Sequence, residues 1–477
     1  MDAPVPMTAG GNHRLHICQF TEFLTIDVAY CMQSRAGSIP ARISGVFMPR
    51  AASDARLRYA VFLFVLLCLA YLFVTFHRVS PAVIAVDIMR DTGIDGTVMG
   101  LMASIFFLTY GCMQLPSGIL ADFLGPRRTL PLFLGLAGLG AVIFGESESV
   151  LMLMVGRALM GIGVSVIFVC GVKLMTLWFP PDMFARMNGL YLGMGGVGLF
   201  LGSGPMAYLS THLGWRHALL VCGAATVAIG VALWVWVRNK PEDKGFEPYM
   251  KAAVSSGPGK STAEAMRESV TVIFRSRQFW LISVWFFSHF VLHMSFGGLW
   301  GGSFLMDVHG MSKIEAGNVL NMMGVGMIAG GPFAGWLSDS FFKARRPTML
   351  CYAVALCAVF AVLALFGRNL PVWALYVWFF CLAAFGMGSL SVGFASMRDI
   401  FGPEATGTAS GFLNTLPSIG VVLFQPATGW ILEQFGKAPS GGYLPEAYTV
   451  VCLLYAGTAV TGFIGAFLAK EPMQKRT

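Results

Sequence analysis

The sequence is short of charge. Asp, Glu, Lys and Arg make up 12% of its 477 residues, about half of the share that soluble domains carry. A chain this poor in charge cannot clothe a water-facing surface, which excludes a soluble globular protein of this length. Reactive cysteine patterns are missing too. None of the ten cysteines forms a C-x-x-C pair, and most sit in apolar runs, among them Cys68, Cys112, Cys170, Cys222, Cys351 and Cys452. They read as small hydrophobes. Carboxylates are absent from one particular place. All 24 Asp and Glu residues fall in loops, tails or the ends of apolar runs, and none lies in the middle of one. With no HExxH motif and no nucleophile-and-base constellation, this excludes an intramembrane enzyme. It also argues against a cavity built for cations.

What the sequence has is hydrophobic length. A membrane helix needs about 20 mostly apolar residues, and twelve stretches qualify: 59–85, 98–118, 128–145, 149–178, 185–209, 216–237, 279–304, 314–337, 347–367, 370–397, 405–433 and 445–469. The 57 glycines suit helices that pack closely in lipid. A net charge of +8 could suggest nucleic acid, but the basic residues cluster in alternate loops. Arg127, Arg128, Arg186, Arg238, Lys240, Arg275, Arg277, Lys343, Arg345, Arg346 and Arg398 fall on one side, whereas Arg90, Arg216, Lys313, Arg368 and Lys437 are all that the other side holds. The positive-inside rule then puts both termini in the cytoplasm of a multi-pass cell-membrane protein (an inner membrane, where a cell has two) with the bilayer, not nucleic acid, as its partner.

Residues 1–56 form an N-terminal extension without a spanning run, read as disordered or as upstream of the natural start near Met48. A six-helix bundle over 57–237 follows, then a polar cytoplasmic linker over 238–278, a second six-helix bundle over 279–470 and a tail over 471–477. The linker contains Gly257, Gly259, Lys260 and Ser261, but the position that a phosphate-binding loop needs as its first Gly is Val254, and no strand precedes it. No cofactor is implied.

The two bundles repeat each other. Gly118-x-x-x-Asp122-x-x-Gly125-Pro126-Arg127-Arg128 recurs as Gly335-x-x-x-Asp339 with Lys343, Arg345 and Arg346, at an offset of 217 residues between Gly118 and Gly335. This duplicated loop resembles the signature of the major facilitator superfamily. The resemblance implies an all-α membrane protein with twelve transmembrane helices in two pseudo-symmetric six-helix bundles, working as a monomeric secondary transporter. It also implies that Asp122, Arg127, Arg128, Asp339, Arg345 and Arg346 gate the cytoplasmic side. Arg157, Gly161 and Gly163 resemble the family's helix-four signature, with Met160 in place of its Gln.

Titratable groups inside the apolar runs are costly and therefore functional candidates. They are His77 and Arg78, Arg157 and Lys173, and His289 and His293. The stretch from Tyr71 through Arg78 to Pro81 resembles helix one of the organic anion and organophosphate branch, where an Arg binds the substrate anion. That resemblance implies a small organic anion held by Arg78, with His77, Tyr71, His293 and His289 as further lining. The branch's second Arg, on helix seven, is absent, and His293 stands nearest to its position. Tyr71 and Thr75 lie three to seven residues from Arg78, on its face of the helix. His289-x-x-x-His293 has metal spacing but no evident third ligand, and imidazole suits proton exchange better. The expected carrier is a symporter coupled to protons or sodium. The alternatives are efflux of a drug or hydrophobic solute, and a membrane sensor that kept the transporter fold.

Overall fold

The computed structural model describes residues 50–247, 270–439 and 441–472. The expectations for residues 1–49, for most of the linker and for the end of the tail fall outside the described residues. Nearly everything described is helical. Twelve helical spans follow one another: α1 (Arg50–Val79, continued by Pro81–Thr92), α2 (Gly96–Cys112, continued by Gln114–Phe123), α3 (Pro126–Gly145), α4 (Val150–Ser165, continued by Ile167–Trp178), α5 (Pro181–Leu201, continued over 204–213), α6 (215–236), α7 (Arg277–Leu292, His293–Trp300 and Gly301–His309), α8 (Lys313–Trp336, continued by Leu337–Phe341), α9 (Arg345–Phe366), α10 (372–401), α11 (403–434) and α12 (Pro445–Leu468).

Local chemistry sets these boundaries. Asp95, Ser149, Ser276 and Ser312 accept hydrogen bonds from backbone N–H groups at the starts of α2, α4, α7 and α8, where four such donors lack a helical partner. Gly214 and Gly402 divide α5 from α6 and α10 from α11. Their φ values of 77° and 71° lie in the left-handed region, which a side chain disfavours. Two stretches, His293–Trp300 in α7 and Leu337–Phe341 in α8, are wound as π-helix. Such turns gather at functional sites.

Among the described residues, nine helices are long and apolar enough to cross a membrane by length and composition. One of them, Met187–Trp236, holds parts of two spans. The remaining two spans are α2, whose apolar part is only Gly96–Cys112, and the glycine-rich α8. Large apolar side chains point outward along the helices: Leu132, Leu151, Leu365 and Trp373 are each more than 60% exposed. In water these would be an aggregation surface; in a bilayer they meet lipid tails.

The spans fall into two halves, α1–α6 and α7–α12. Across the divide α2 packs on α11, α5 on α8, and the end of α1 on α7. The end where α6 runs into residues 237–247 and α7 begins at Arg277 is the linker end; the opposite one is the far end.

Candidate functional site

The site grows from a break in α1. Pro81 has no N–H, so the carbonyl of His77, four residues back, loses its helical donor. Ser80 still donates to Phe76 at 3.0 Å, while Val83 turns to Ser80 at 3.4 Å. The carbonyls of His77 and Arg78 are met instead by Arg157 of α4, whose guanidinium donates to them at 2.5 and 3.2 Å. Arg157 is buried, and its cation lies 4.6 Å from the centre of the Phe106 ring.

Arg78 projects from the same turn. It too is buried, which rules out snorkelling to a headgroup, and its guanidinium lies 4.9 Å from the ring centre of Tyr110 and 5.8 Å from that of Phe107. It makes no ion pair with any described carboxylate, and its Nε has no hydrogen-bond partner. From the other half, His293 comes near enough for the two side chains to act on each other electrostatically. His293 opens the π-turn of α7, is completely buried, and has neither ring nitrogen hydrogen-bonded. Gly386 of α10 packs directly on its Cβ.

Of the other residues expected here, all but Tyr71 are hydrogen-bonded within their own halves. His77 turns into its own half, where its Nε2 pairs with Thr226 of α6 at 3.0 Å. Neighbouring helical residues point about 100° apart, so His77 and Arg78 cannot share a face. Tyr71 packs at a tilt against Tyr191 and Phe168 at 4.6 and 5.8 Å, yet stays near enough to Arg78 for the two side chains to act on each other electrostatically. The Thr75 hydroxyl donates to the Gly195 carbonyl at 2.6 Å and so ties α1 to α5 rather than lining a cavity. His289 bonds the Trp285 carbonyl at 2.8 Å and lies against that indole. Lys173 donates to the Ala121 carbonyl at 2.8 Å.

Polar contacts that join the halves gather at the far end. Lys313 of α8 forms an ion pair with Asp87 of α1 and reaches Ser210 of α5. Glu433 of α11 accepts from the Gly96 N–H of α2 at 2.7 Å and from Tyr443. Asn321 accepts from Gly204 at 2.7 Å. Backbones nearly touch there: a Cβ on Gly302 would sit 1.8 Å from the Ala82 carbonyl oxygen, and one on Gly429 would sit 2.0 Å from that of Gly96. The far end is therefore sealed. Outside the seal, Asp87, Arg90, Asp91, Trp215 and Lys313 line a cavity of about 430 Å³.

The family model for the Major Facilitator Superfamily matches residues 63–369 and 285–477, nearly the whole chain. The chain belongs to the Major Facilitator Superfamily. It is similar to a probable hexose phosphate transport protein of Chlamydia muridarum, 23% identical over 83% of this chain and 90% of that one. It is also similar to the membrane sensor protein UhpC of Salmonella typhimurium, 26% identical over 80% of this chain and 86% of that one. Among solved structures, a bacterial homologue of the human lysosomal transporter Spinster, inward-facing and occupied, superposes with a TM-score of 0.66 at 19% identity, over 86% of this chain and 97% of that one.

The superfamily's duplicated loops lie at the linker end. The backbone of Asp122 ends α2, while its side chain lies outside the described residues. Arg127 and Arg128 are exposed, and the Arg127 N–H donates to Asn239 at 2.9 Å. In the second copy, Asp339 sits in the π-turn and pairs with Arg345. Arg345 also holds Asp399 of α10 at 2.9 Å and Ser338 at 2.7 Å, and Arg346 donates to the Phe467 carbonyl at 2.7 Å. In helix four, Gly161 and Gly163 bring α4 against α2 and α3; an added Cβ would meet Thr109 and Phe106 from the first, and Ala137 and Phe133 from the second, within 2.5 Å.

Sequence reasoning missed Asp399, the Asp87–Lys313 pair and the buried Gln425. Gln425 donates to the Met294 carbonyl at 3.3 Å, inside the π-turn. The repeat offset could not reveal them, because each is defined by its partner on another helix.

Proposed function

We propose that this superfamily member carries a small organic anion, bearing a phosphate or carboxylate, across the cell membrane by alternating access of its two halves. The observation that carries the reading is Arg78. A guanidinium buried beside two aromatic rings, with no carboxylate partner among the described residues, is costly unless an anion joins it. Its planar fork suits bidentate binding of phosphate or carboxylate. His293 supplies the contact from the opposite half, with both ring nitrogens free to bond an anion's oxygens or hydroxyls. The named activity of the Chlamydia relative, hexose phosphate transport, agrees with this chemistry.

In this reading 57–237 and 279–470 are the rocking units, both termini are cytoplasmic, and the linker end faces the cytoplasm. The described state is then closed to the outside. Asp339 is 60% exposed and bonded within its own half, as a cytoplasmic gate that is not engaged would be.

The test is uptake by reconstituted vesicles of labelled hexose phosphates and sugar acids, with protons or sodium as the driving ion. One of the anions should accumulate. Arg78→Ala should abolish uptake while leaving the protein in the membrane, and Arg78→Lys should weaken it, because the fork is lost. Wild-type uptake by Arg78→Ala would overturn the anion assignment. The likeness to a sensor supports a second reading, that of a receptor; binding of the anion without flux would favour it.

A further inference from the structure

We infer that Arg157 is a positioning residue for Arg78, and that it acts by holding the His77 carbonyl, which the α1 break sets free, together with the carbonyl of Arg78 itself. The inference rests on Arg78 as the anion contact. Its own ground is the coincidence of three features. Pro81 withdraws the only N–H that a continuous helix would offer His77, four residues back. The guanidinium of Arg157 then takes both the His77 and the Arg78 carbonyls, the latter belonging to the very residue whose side chain is to be aimed. No carboxylate of the described residues pairs with Arg157, so its charge has no other evident use, and Phe106 on α2 closes over it.

A single guanidinium with forked donors can span adjacent carbonyls, whereas a lysine ammonium presents one point charge. Arg157 therefore replaces the helical bond missing at His77 with a charge-assisted one, adds a second at the Arg78 carbonyl, and pins the turn from which Arg78 leaves the backbone. Without it the turn has a buried acceptor unmet at His77 and several ways to relax, each pointing Arg78 differently. Misplacement of a binding group by about 1 Å is enough to cost large factors.

The experiment uses the full chain in proteoliposomes, as wild type, Arg157→Met, Arg157→Lys, Pro81→Ala and the double variant Pro81→Ala with Arg157→Met. Two quantities are read: the melting temperature without ligand, and the KM for labelled glucose 6-phosphate in the folded fraction. Pro81→Ala returns an N–H to the His77 carbonyl. The drop in melting temperature caused by Arg157→Met should then shrink by at least half in the Pro81→Ala background. Arg157→Met should raise KM about tenfold or more, and Arg157→Lys should fall between it and wild type. If Arg157→Met does not fold alone, recovery of folded protein in the double variant supports the inference and its failure overturns it. Additive melting penalties, or an unchanged KM in folded Arg157→Met, also overturn it. The melting comparison needs no ligand. Should wild type ignore every anion, the transport reading falls while the coupling between Pro81 and Arg157 is still decided.

Discussion

A histidine and an arginine adjacent in sequence have come to opposite duties. His77 bonds Thr226, and Arg78 is a cation with no ion pair among the described residues. The hydropathy of α1 identified both as out of place in an apolar run, but only the angle between successive helical side chains separates their roles, and that angle was available from the sequence. His293 differs again. Its isolation, with two unbonded ring nitrogens, is invisible without its neighbours. These roles predict different failures. Thr226→Val leaves the His77 ring without its partner and should cost about 1–3 kcal/mol of stability, the usual penalty for a stranded buried polar group, with KM for the anion unchanged. Thermal unfolding and uptake kinetics on the same preparation check this. His293→Ala should do the reverse, raising KM or uncoupling uptake from the driving ion while the melting temperature holds within a few degrees. A KM shift in Thr226→Val would return His77 to the site.

At the scale of the helix, number and order were legible because apolar runs of membrane length announce themselves. Boundaries between spans were legible where Gly marks them, as at Gly214 and Gly402, whereas the break at Pro81 lies inside a run, 59–85, that the sequence presents as continuous. The π-turn at His293–Trp300 carries Gly297 and Gly298, but glycine does not by itself specify π winding, so the turn was not legible. Glycine content likewise foretold close packing without saying which pairs meet. Gly302 and Gly429 turn out to be where α7 meets α1 and α11 meets α2, with backbone rather than flexible side chain in the way of an added methyl group. Gly302→Ala and Gly429→Ala should therefore hold the far end ajar. Spin-label distances across that end should lengthen by a few ångströms relative to wild type. An unchanged distance would mean that the helices can slide to accommodate the methyl, and that the seal does not depend on backbone contact.

For the whole molecule, the question is which contacts hold one conformation. Duplication predicted a matching pair of loops, and both lie at the linker end, but the described ion pair that spans the halves is Asp87 with Lys313, which no repeat relates to a counterpart. Both side chains are less than a fifth exposed, so the pair is screened less than a surface one. Transport needs this pair to part in every cycle, and a contact made in one state biases the equilibrium only by what it is worth there. Removing about 1.4 kcal/mol moves a two-state ratio tenfold. Lys313→Ala or Asp87→Asn should thus shift the population roughly tenfold toward the state open at the far end, as read by labelling of a cysteine placed among the residues beneath the seal. Arg90, which also contacts Asp87 at 3.2 Å, cannot make up the loss, because it lies in the same half. Exchanging the two charges, Asp87→Lys with Lys313→Asp, should recover most of the wild-type population. If the single variants label no faster than wild type, the glycine contacts and the Glu433–Gly96 bond alone carry the seal, and the ion pair instead steers the approach of charged solutes to the far-end cavity.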